Sequence, residues 1–328
     1  MIFKCRNCGG NAVYNPDKNK MWCPHCESTD SEERIDTEVM TNCGNCGAPL
    51  DHITGYTSAL KCNHCGSYII LKERVEGANR PDLILPFAVS RKKAVHILKK
   101  EFAKRIFTPN SFLSNDSLQC MEGSYVPFWL YDYLATIDYE GKATRVSVHR
   151  SGNWEITETS HYQVIRKMDV QFEKIPIDAS KRMADDIMEL MEPYEYQALC
   201  NFEEKYMSGF EGEVVNFRED EEESRAMNKA RRDSEALLNE SITGFTTNVT
   251  VRKDIDMASR KVQFALLPVW VYKYSFQGKD YMYYVNGQTG KVIGKTPTDG
   301  KKAFWYSATV ALIVGMIGQC INWILGVF

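Results

Sequence analysis

Apolar and polar positions alternate along this chain with different periods, and each period predicts a different element. Behind Ser90, apolar residues recur at Ala94, Val95, Leu98, Phe102 and Ile106. They form one stripe of an amphipathic helix, and a serine at its start can accept amides of the first turn. The other faces carry Arg91, Lys92, Lys93, Lys99, Lys100, Lys104 and Arg105. Such a face either meets solvent or, near a membrane, lies on anionic lipid. A second helix is expected from about Glu219 to Ser241, acidic in its first turn (EDEEE) and basic later, as a helix dipole favours. The runs PFWLYDYLATIDYEG, KATRVSVHR, NWEITETSHYQVI and MDVQFEKIPI read as strands, followed after the second helix by FTTNVTVRK, KVQFALLPVWVYKYSF, KDYMYYVN and KVIGKT. VNGQTGKV holds Asn-Gly and Thr-Gly, pairs typical of hairpin turns. The expected fold class is α+β with antiparallel sheets.

The pattern changes after Lys302. Residues 303 to 328 contain no charged side chain. A helix of that length rises about 39 Å, enough to cross a hydrocarbon core of roughly 30 Å with tilt. Trp305, Tyr306 and Trp323 stand near its two ends, where interfacial aromatics sit. A buried soluble helix is the competing reading. Lys291, Lys295, Lys301 and Lys302 precede the segment and no charge follows it, so the positive-inside rule places the N-terminal bulk in the cytoplasm.

The middle of the chain echoes itself. LPFAVSRKKA (85–94) aligns with IPIDASKRMA (175–184), and VPFWLYDY (126–133) with LPVWVYKY (267–274). The same order in both halves suggests a duplicated unit, with candidate repeats at 85–165 and 175–296. Chance likeness of short Pro-aromatic strings would give the same picture.

The most specific chemistry lies at the N-terminus. Cys5, Cys8, Cys23 and Cys26 are spaced C-x2-C-x14-C-x2-C, and Cys43, Cys46, Cys62 and Cys65 are spaced C-x2-C-x15-C-x2-C. Four thiolates close a tetrahedral shell around Zn2+, so two ions are expected, one per ribbon. Units of about 35 residues cannot bury a sufficient core, and the metal would supply folding energy. Gly9, Gly47 and Gly66 each follow a knuckle cysteine, where a side chain is expected to crowd the sulfurs. His25 and His64 lie inside knuckles but read as spectators, since four thiolates suffice. A disulfide framework competes, but MIFKCRNC has no apolar leader and the cysteine count of 11 is odd, which suits a reducing compartment. Iron–sulfur ligation fits hairpin-separated pairs less well.

Charge and motifs then narrow the function classes. Residues 1 to 76 hold eight Lys or Arg against ten Asp or Glu, a net of −2, with no cationic cluster. A phosphate-binding surface needs clustered cations, so nucleic acid is not expected as a partner. Tyr14, Trp22, Tyr56 and Tyr68 are read as ribbon core rather than as base-stacking platforms. NGQTGKV is not a phosphate loop, because the required first glycine is Val285 and Val292 replaces the hydroxyl residue. No nucleophile-elbow or zinc-protease motif occurs, and His149 and His161 lie on predicted strands without a spacing that makes a site. No catalytic residue, enzymatic activity or small-molecule substrate is expected.

Together the paired ribbons, LPF, VPFWLYDY, TETSHY, EKIPIDAS, LLPVWVYKY and NGQTGKV resemble the YdjG-like bacterial family of TFIIB-type zinc-ribbon-containing membrane proteins. The resemblance covers nearly the whole chain. It implies a membrane-associated scaffold linked to phage-shock-like stress systems, with flotillin-like (SPFH) or phage-shock protein A-like partners. The family's zinc ligands fall on the eight knuckle cysteines. The expected organisation is zinc ribbon 1 at 1–36, zinc ribbon 2 at 37–78, an α+β region at 79–300 and a single-pass C-terminal anchor at 301–328. The expected function is a cytoplasmic-facing adaptor that recruits a protein partner to the membrane. A membrane-tethered nucleic-acid-binding protein is the alternative.

Overall fold

The computed structural model describes residues 1–36, 41–51, 53–118, 120–183 and 185–326. The expected start of the second ribbon at 37 and the last two residues of the expected anchor lie outside them. Strands β1 (Ile2–Cys5), β2 (Val13–Asn15), β3 (Lys20–Trp22) and β4 (Glu32–Ile35) build the first ribbon. In it β1 pairs with β4 and β2 with β3, both antiparallel. The second ribbon contributes β5 (Thr57–Lys61) and β6 (Tyr68–Ile70). Then come β7 (Leu83–Ile84), α1 (Arg91–Phe102) and α2 (Asn115–Leu118). Two long strands follow, β8 (Glu122–Ser151) and β9 (Trp154–Asp178). The rest is α3 (Asp185–Met191), β10 (Cys200–Asn201), β11 (Glu211–Glu213), α4 (Glu219–Ser241), β12 (Thr247–Phe276), β13 (Lys279–Asn286), β14 (Val292–Gly294) and α5 (Gly300–Leu325). The fold is α+β with antiparallel and mixed sheets.

The strands are longer than their hydrophobic runs predict. PFWLYDYLATIDYEG and KATRVSVHR are one strand of 30 residues, β8, and FTTNVTVRK joins KVQFALLPVWVYKYSF in β12, also 30 residues. At about 3.3 Å per residue such a strand runs for roughly 100 Å. Register shifts at Tyr131/Tyr133, Thr250/Arg252 and Ser259/Lys261 mark bulges. A bulge bends and twists a ribbon without ending it, so the polar interruptions that suggest turns are absorbed inside the strands.

Helix α4 covers one face of this ribbon. Along β8 the odd positions Tyr131, Tyr133, Ala135, Ile137 and Tyr139 are buried, the period of two that a one-sided sheet requires. Ala226, Ala230 and Ser234 of α4 are fully buried, and residues this small let helix and sheet approach closely. Side chains of β8 then reach the backbone where α4 begins: Tyr131 Oη donates to the Glu219 carbonyl at 2.6 Å, and Trp129 Nε1 to that of Phe217, just before the helix, at 2.8 Å.

A second core lies under α1. Ala94, Leu98 and Phe102 are buried there with Phe112, Tyr272 and Tyr283. The Ser90 hydroxyl accepts the Lys93 amide, as its position predicts. Ile106, expected on the same stripe, departs from it. The helix ends at Phe102, and Ile106 is 53% exposed beside Trp305 at the root of α5. Asp299 caps α5 by accepting the amides of Lys301 and Lys302. Lys302 Nζ donates to the Thr108 carbonyl at 2.7 Å and to Asn110 Oδ1 at 2.6 Å. The stretch Gly300–Ile321 is long and apolar enough to cross a membrane, and beyond the root, where Tyr306 also meets Phe107 at 5.4 Å, its apolar side chains are not buried in the body.

Candidate metal centres and an adjoining cavity

Each cysteine pair is shaped by the same backbone turn. The amide of residue 9, 27, 47 or 66 donates to the carbonyl of the first cysteine in its knuckle, at 2.8 to 2.9 Å. All four turn residues have positive φ: Gly9 71°, Glu27 60°, Gly47 74° and Gly66 71°. This conformation, not crowding at the sulfurs, explains the glycines. A Cβ on Gly9 or Gly47 would meet nothing within 4 Å, but an L-residue pays for left-handed backbone. Glu27 plays the same part without being glycine. Gly10 is the residue held near sulfur, where a Cβ would stand 3.3 Å from Cys8 Sγ.

The turns bring the eight cysteines into two clusters. Cys5, Cys8, Cys23 and Cys26 have sulfurs mutually within 4.8 Å, as do Cys43, Cys46, Cys62 and Cys65. Nearest separations are 3.5 Å (Cys8–Cys23) and 3.6 Å (Cys5–Cys26) in the first, and 3.6 Å (Cys43–Cys65) and 3.9 Å (Cys46–Cys62) in the second. Metal–sulfur bonds of about 2.3 Å in a tetrahedron imply sulfurs roughly 3.75 Å apart. Both clusters therefore fit a four-coordinate ion. His25 and His64 belong to neither. Cys120, Cys200 and Cys320 stand outside both clusters as well.

Hydroxyls and an amide tune the sulfurs. Ser28 Oγ lies 3.1 Å from Cys5 Sγ and 2.9 Å from Cys26 Sγ, with Ser31 Oγ 3.4 Å from Cys5. Ser28 and then Ser31 bring the Cys5 thiol down to about 5. In the second cluster burial acts to raise Cys65, but Ser67 and Asn45 outweigh it and hold the thiol at about 6. Ser28 lowers the Cys26 thiol as well, so each cluster has at least one sulfur ready to bind as thiolate at neutral pH. Asn45 Nδ2 donates to Ser67 Oγ at 2.8 Å, fixing the hydroxyl beside Cys65.

The ribbons are built into the body. Strand β5 pairs with β11 of the central sheet, which in turn pairs with β8. The first ribbon is held by the Tyr14 amide on the Ser208 carbonyl at 2.8 Å and by Ser208 Oγ on the Ala12 carbonyl at 2.7 Å. Between the two ribbons, β8, β11 and the start of α1 lies a cavity of about 560 Å3. Tyr14, Phe210 and Trp270 are buried in its lining, and Trp22 and Tyr68 are half-buried. Of the charged residues that line it, Asp17, Lys61, Arg91, Lys92 and Glu122 are exposed, and Glu211 is the one withdrawn from solvent. Burial first, and the Glu122 charge second, push the Glu211 carboxyl up to about 7.

The structure does not assemble the other sequence candidates. His149 faces Ile156 and His161 faces Thr144 across the β8–β9 ladder. Five positions apart in register, the two histidines are exposed on opposite faces of the ribbon. The cavity, by contrast, is drawn from seven separate stretches of chain, and no spacing in the sequence announces it.

Two tetrathiolate ribbons fused to an α+β body and followed by an apolar helix define the class. Within it, the chain belongs to the YdjG family. It is 33% identical over 317 residues to an uncharacterized protein, YdjG, of Bacillus subtilis (strain 168), with 93% of each chain covered. No family model matches the chain, and no solved structure does.

Proposed function

We propose that this protein is a membrane-anchored adaptor whose zinc ribbons and α+β body, on the cytoplasmic side, recruit a protein partner to the membrane. The observation that carries the reading is the contrast between the two ends. The ribbons are locked to the central sheet by β5–β11 pairing and by Ser208, whereas α5 is rooted through Lys302 and then unburied. A rigid head on a bare apolar tail suits a docking platform better than a freely diffusing domain.

Zinc is the proposed metal, since four thiolates per site and no histidine suit its soft, tetrahedral preference. Cys5, Cys8, Cys23 and Cys26 would hold one ion, and Cys43, Cys46, Cys62 and Cys65 the other, as structural staples. The cytoplasmic placement follows from Lys291, Lys295, Lys301 and Lys302 before the apolar segment. Thiolate sites also need a reducing compartment. Ile106, Phe107, Lys301, Trp305 and Tyr306 together line a hollow at the root of α5, a mixture of cation and aromatic suited to the headgroup level. The resemblance to stress-associated ribbon proteins proposes a flotillin-like or phage-shock protein A-like partner and a role in envelope stress.

The test compares the full chain with one truncated before Gly300, in membrane fractionation and in pull-down of tagged protein. The adaptor reading expects the full chain to bring a stoichiometric protein into the membrane fraction, and the truncated chain to leave it soluble. A truncated chain that still sediments with membranes would refute the anchor, and nuclease-sensitive nucleic acid in place of protein would refute the adaptor.

A further inference from the structure

The basic face of α1 divides between two neighbours. Its first turn faces the first ribbon, where Lys93 pairs with Asp17 at 2.7 Å. Its last turn lies beside the chain that leads into α5. Residues 105–108 and 296–302 run side by side. Arg105 donates to Thr296 Oγ1, the Asp299 amide to the Phe107 carbonyl at 2.8 Å, and Lys302 Nζ to the Thr108 carbonyl at 2.7 Å. Arg105 and Thr296 are 191 positions apart in sequence, yet they belong to one surface at the root of the apolar helix.

Positive charge is concentrated on that surface. Residues 99–106 and 291–302 hold eight Lys or Arg against two acids, Glu101 and Asp299, in a chain whose net charge is −3. Both acids are engaged, Glu101 with Arg105 at 3.1 Å and Asp299 as the cap of α5. Lys100, Lys104, Lys295 and Lys301 are exposed and make no ion pair among the described residues. Lys100 and Lys104 also border a hollow of about 540 Å3, closed on its other side by residues 289–292. Cations left without counter-ions call for an anionic neighbour.

The same surface carries bare apolar groups. Ile106 stands 53% and Trp305 70% exposed, side by side in the hollow at the root of α5. Basic and aromatic side chains mixed in this way are typical of the headgroup layer of a membrane. Lys104 is two residues from Ile106, close enough for a charged leaflet to act on it within a Debye length of roughly 8 Å.

We propose that this surface seats on the anionic leaflet of the membrane, with Lys100, Lys104, Lys295 and Lys301 against phospholipid phosphates and with Ile106 and Trp305 among the headgroups. Clusters of about four to eight basic residues beside a span are drawn to acidic lipid. The seat rests on the anchor reading and adds to it a second contact, made by the body itself. A single span leaves a head free to swivel, whereas a basic seat beside it fixes which face of the body meets the bilayer.

The experiment places the full, metal-loaded chain in lipid nanodiscs of phosphatidylcholine alone and of an equal mixture with phosphatidylglycerol. Lysines are acetylated with a water-soluble reagent and read by peptide mass spectrometry. Lys100 and Lys104 should label at least about threefold more slowly in the mixture, and high salt should remove most of the difference. Lys142, far along β8, should label equally in both. Lys100→Gln with Lys104→Gln, at exposed positions, should still enter the discs but lose most of the protection of Lys295. A chain that does not enter the discs would refute the anchor reading, and the seat with it. A chain that enters while Lys100 and Lys104 label alike in both lipids would overturn the seat and leave the anchor standing. Equal slowing at Lys142, or full protection of Lys295 in the variant, would do the same.

Discussion

The hydroxyl of Ser67 donates to Asn11 Oδ1 at 2.9 Å and so joins the two ribbons within one hydrogen bond of a metal-binding sulfur. Ser67 Oγ also lies 3.2 Å from Cys65 Sγ, and Asn11 follows the Gly10 that packs against Cys8 and Cys23. Ser67 has one proton for these two acceptors, so Asn11 fixes the Ser67 oxygen beside Cys65, and the hydroxyl supports the second site when its proton turns to the sulfur. Groups that orient ligands commonly change metal affinity by about 10- to 100-fold when removed. Ser67→Ala should weaken the ion of the second site by about tenfold and leave the first site unchanged. Competition with a chromogenic chelator, read as two separate release steps, checks this. An equal change at both sites would contradict it.

Glu27 is the one non-glycine among the four knuckle turns, at φ 60°. Left-handed backbone costs an L-residue about 1 kcal/mol or more. Glu27→Gly should therefore stabilise the protein, by up to about 1 kcal/mol once glycine's extra unfolded-state entropy is subtracted. Gly47→Ala should destabilise it by a similar amount, although a Cβ there meets nothing. Thermal unfolding of metal-loaded protein provides the comparison, and a stabilising Gly47→Ala would remove the conformational explanation.

Much of this was open to sequence reading. The cysteine spacing alone marks both clusters, because ligands local in sequence are local in space. The apolar terminus and the helix at Glu219–Ser241 are equally legible, since composition and period act within one segment. Strand continuity was not. Gly141 and Ser259 resemble interruptions, but Gly141 lies opposite the Thr250/Arg252 bulge of β12, and Ser259 stands at that strand's second bulge. Glu27 carries no such signal, because a turn's φ is visible in sequence only when glycine occupies it. The cavity has no local signature, because β5–β11 and β8–β11 pairing bring Tyr68, Glu122 and Glu211 together, and the Ser208 contacts add the first ribbon with Trp22.

The packing of α4 on the ribbon gives a stability prediction. Ala226 and Ala230 are wholly buried against Tyr131, Tyr133, Ile175 and Ile177. Added methylenes in so tight a contact typically cost about 1–3 kcal/mol. Ala226→Leu should lower stability within that range and weaken the Tyr131–Glu219 hydrogen bond. Chemical denaturation with near-ultraviolet circular dichroism reports both. A neutral result would mean that α4 is free to shift on the sheet.

Glu211 makes stability depend on pH in a defined direction. Its carboxyl is raised by burial, and then by Glu122, from its ordinary 4.5 to about 7. Below pH 4.5 both folded and unfolded chains hold the proton, and the group costs nothing. Between 4.5 and 7 the unfolded chain releases it more readily, so the fold loses stability, and above 7 the loss is complete. Glu211→Gln should then be more stable than the parent at pH 8, by about 1–2 kcal/mol after allowance for solvent screening. The advantage should shrink as the pH falls towards 5. Melting curves across that range check it, and an advantage independent of pH would assign the effect to packing.

The most direct measurement for the whole account is recovery of the tagged full chain from detergent-solubilised membranes, with and without nuclease, beside the chain truncated before Gly300. The account predicts a stoichiometric protein partner that survives nuclease and leaves the membrane fraction when the tail is removed. Nucleic acid that disappears with nuclease, with no protein in its place, would contradict it.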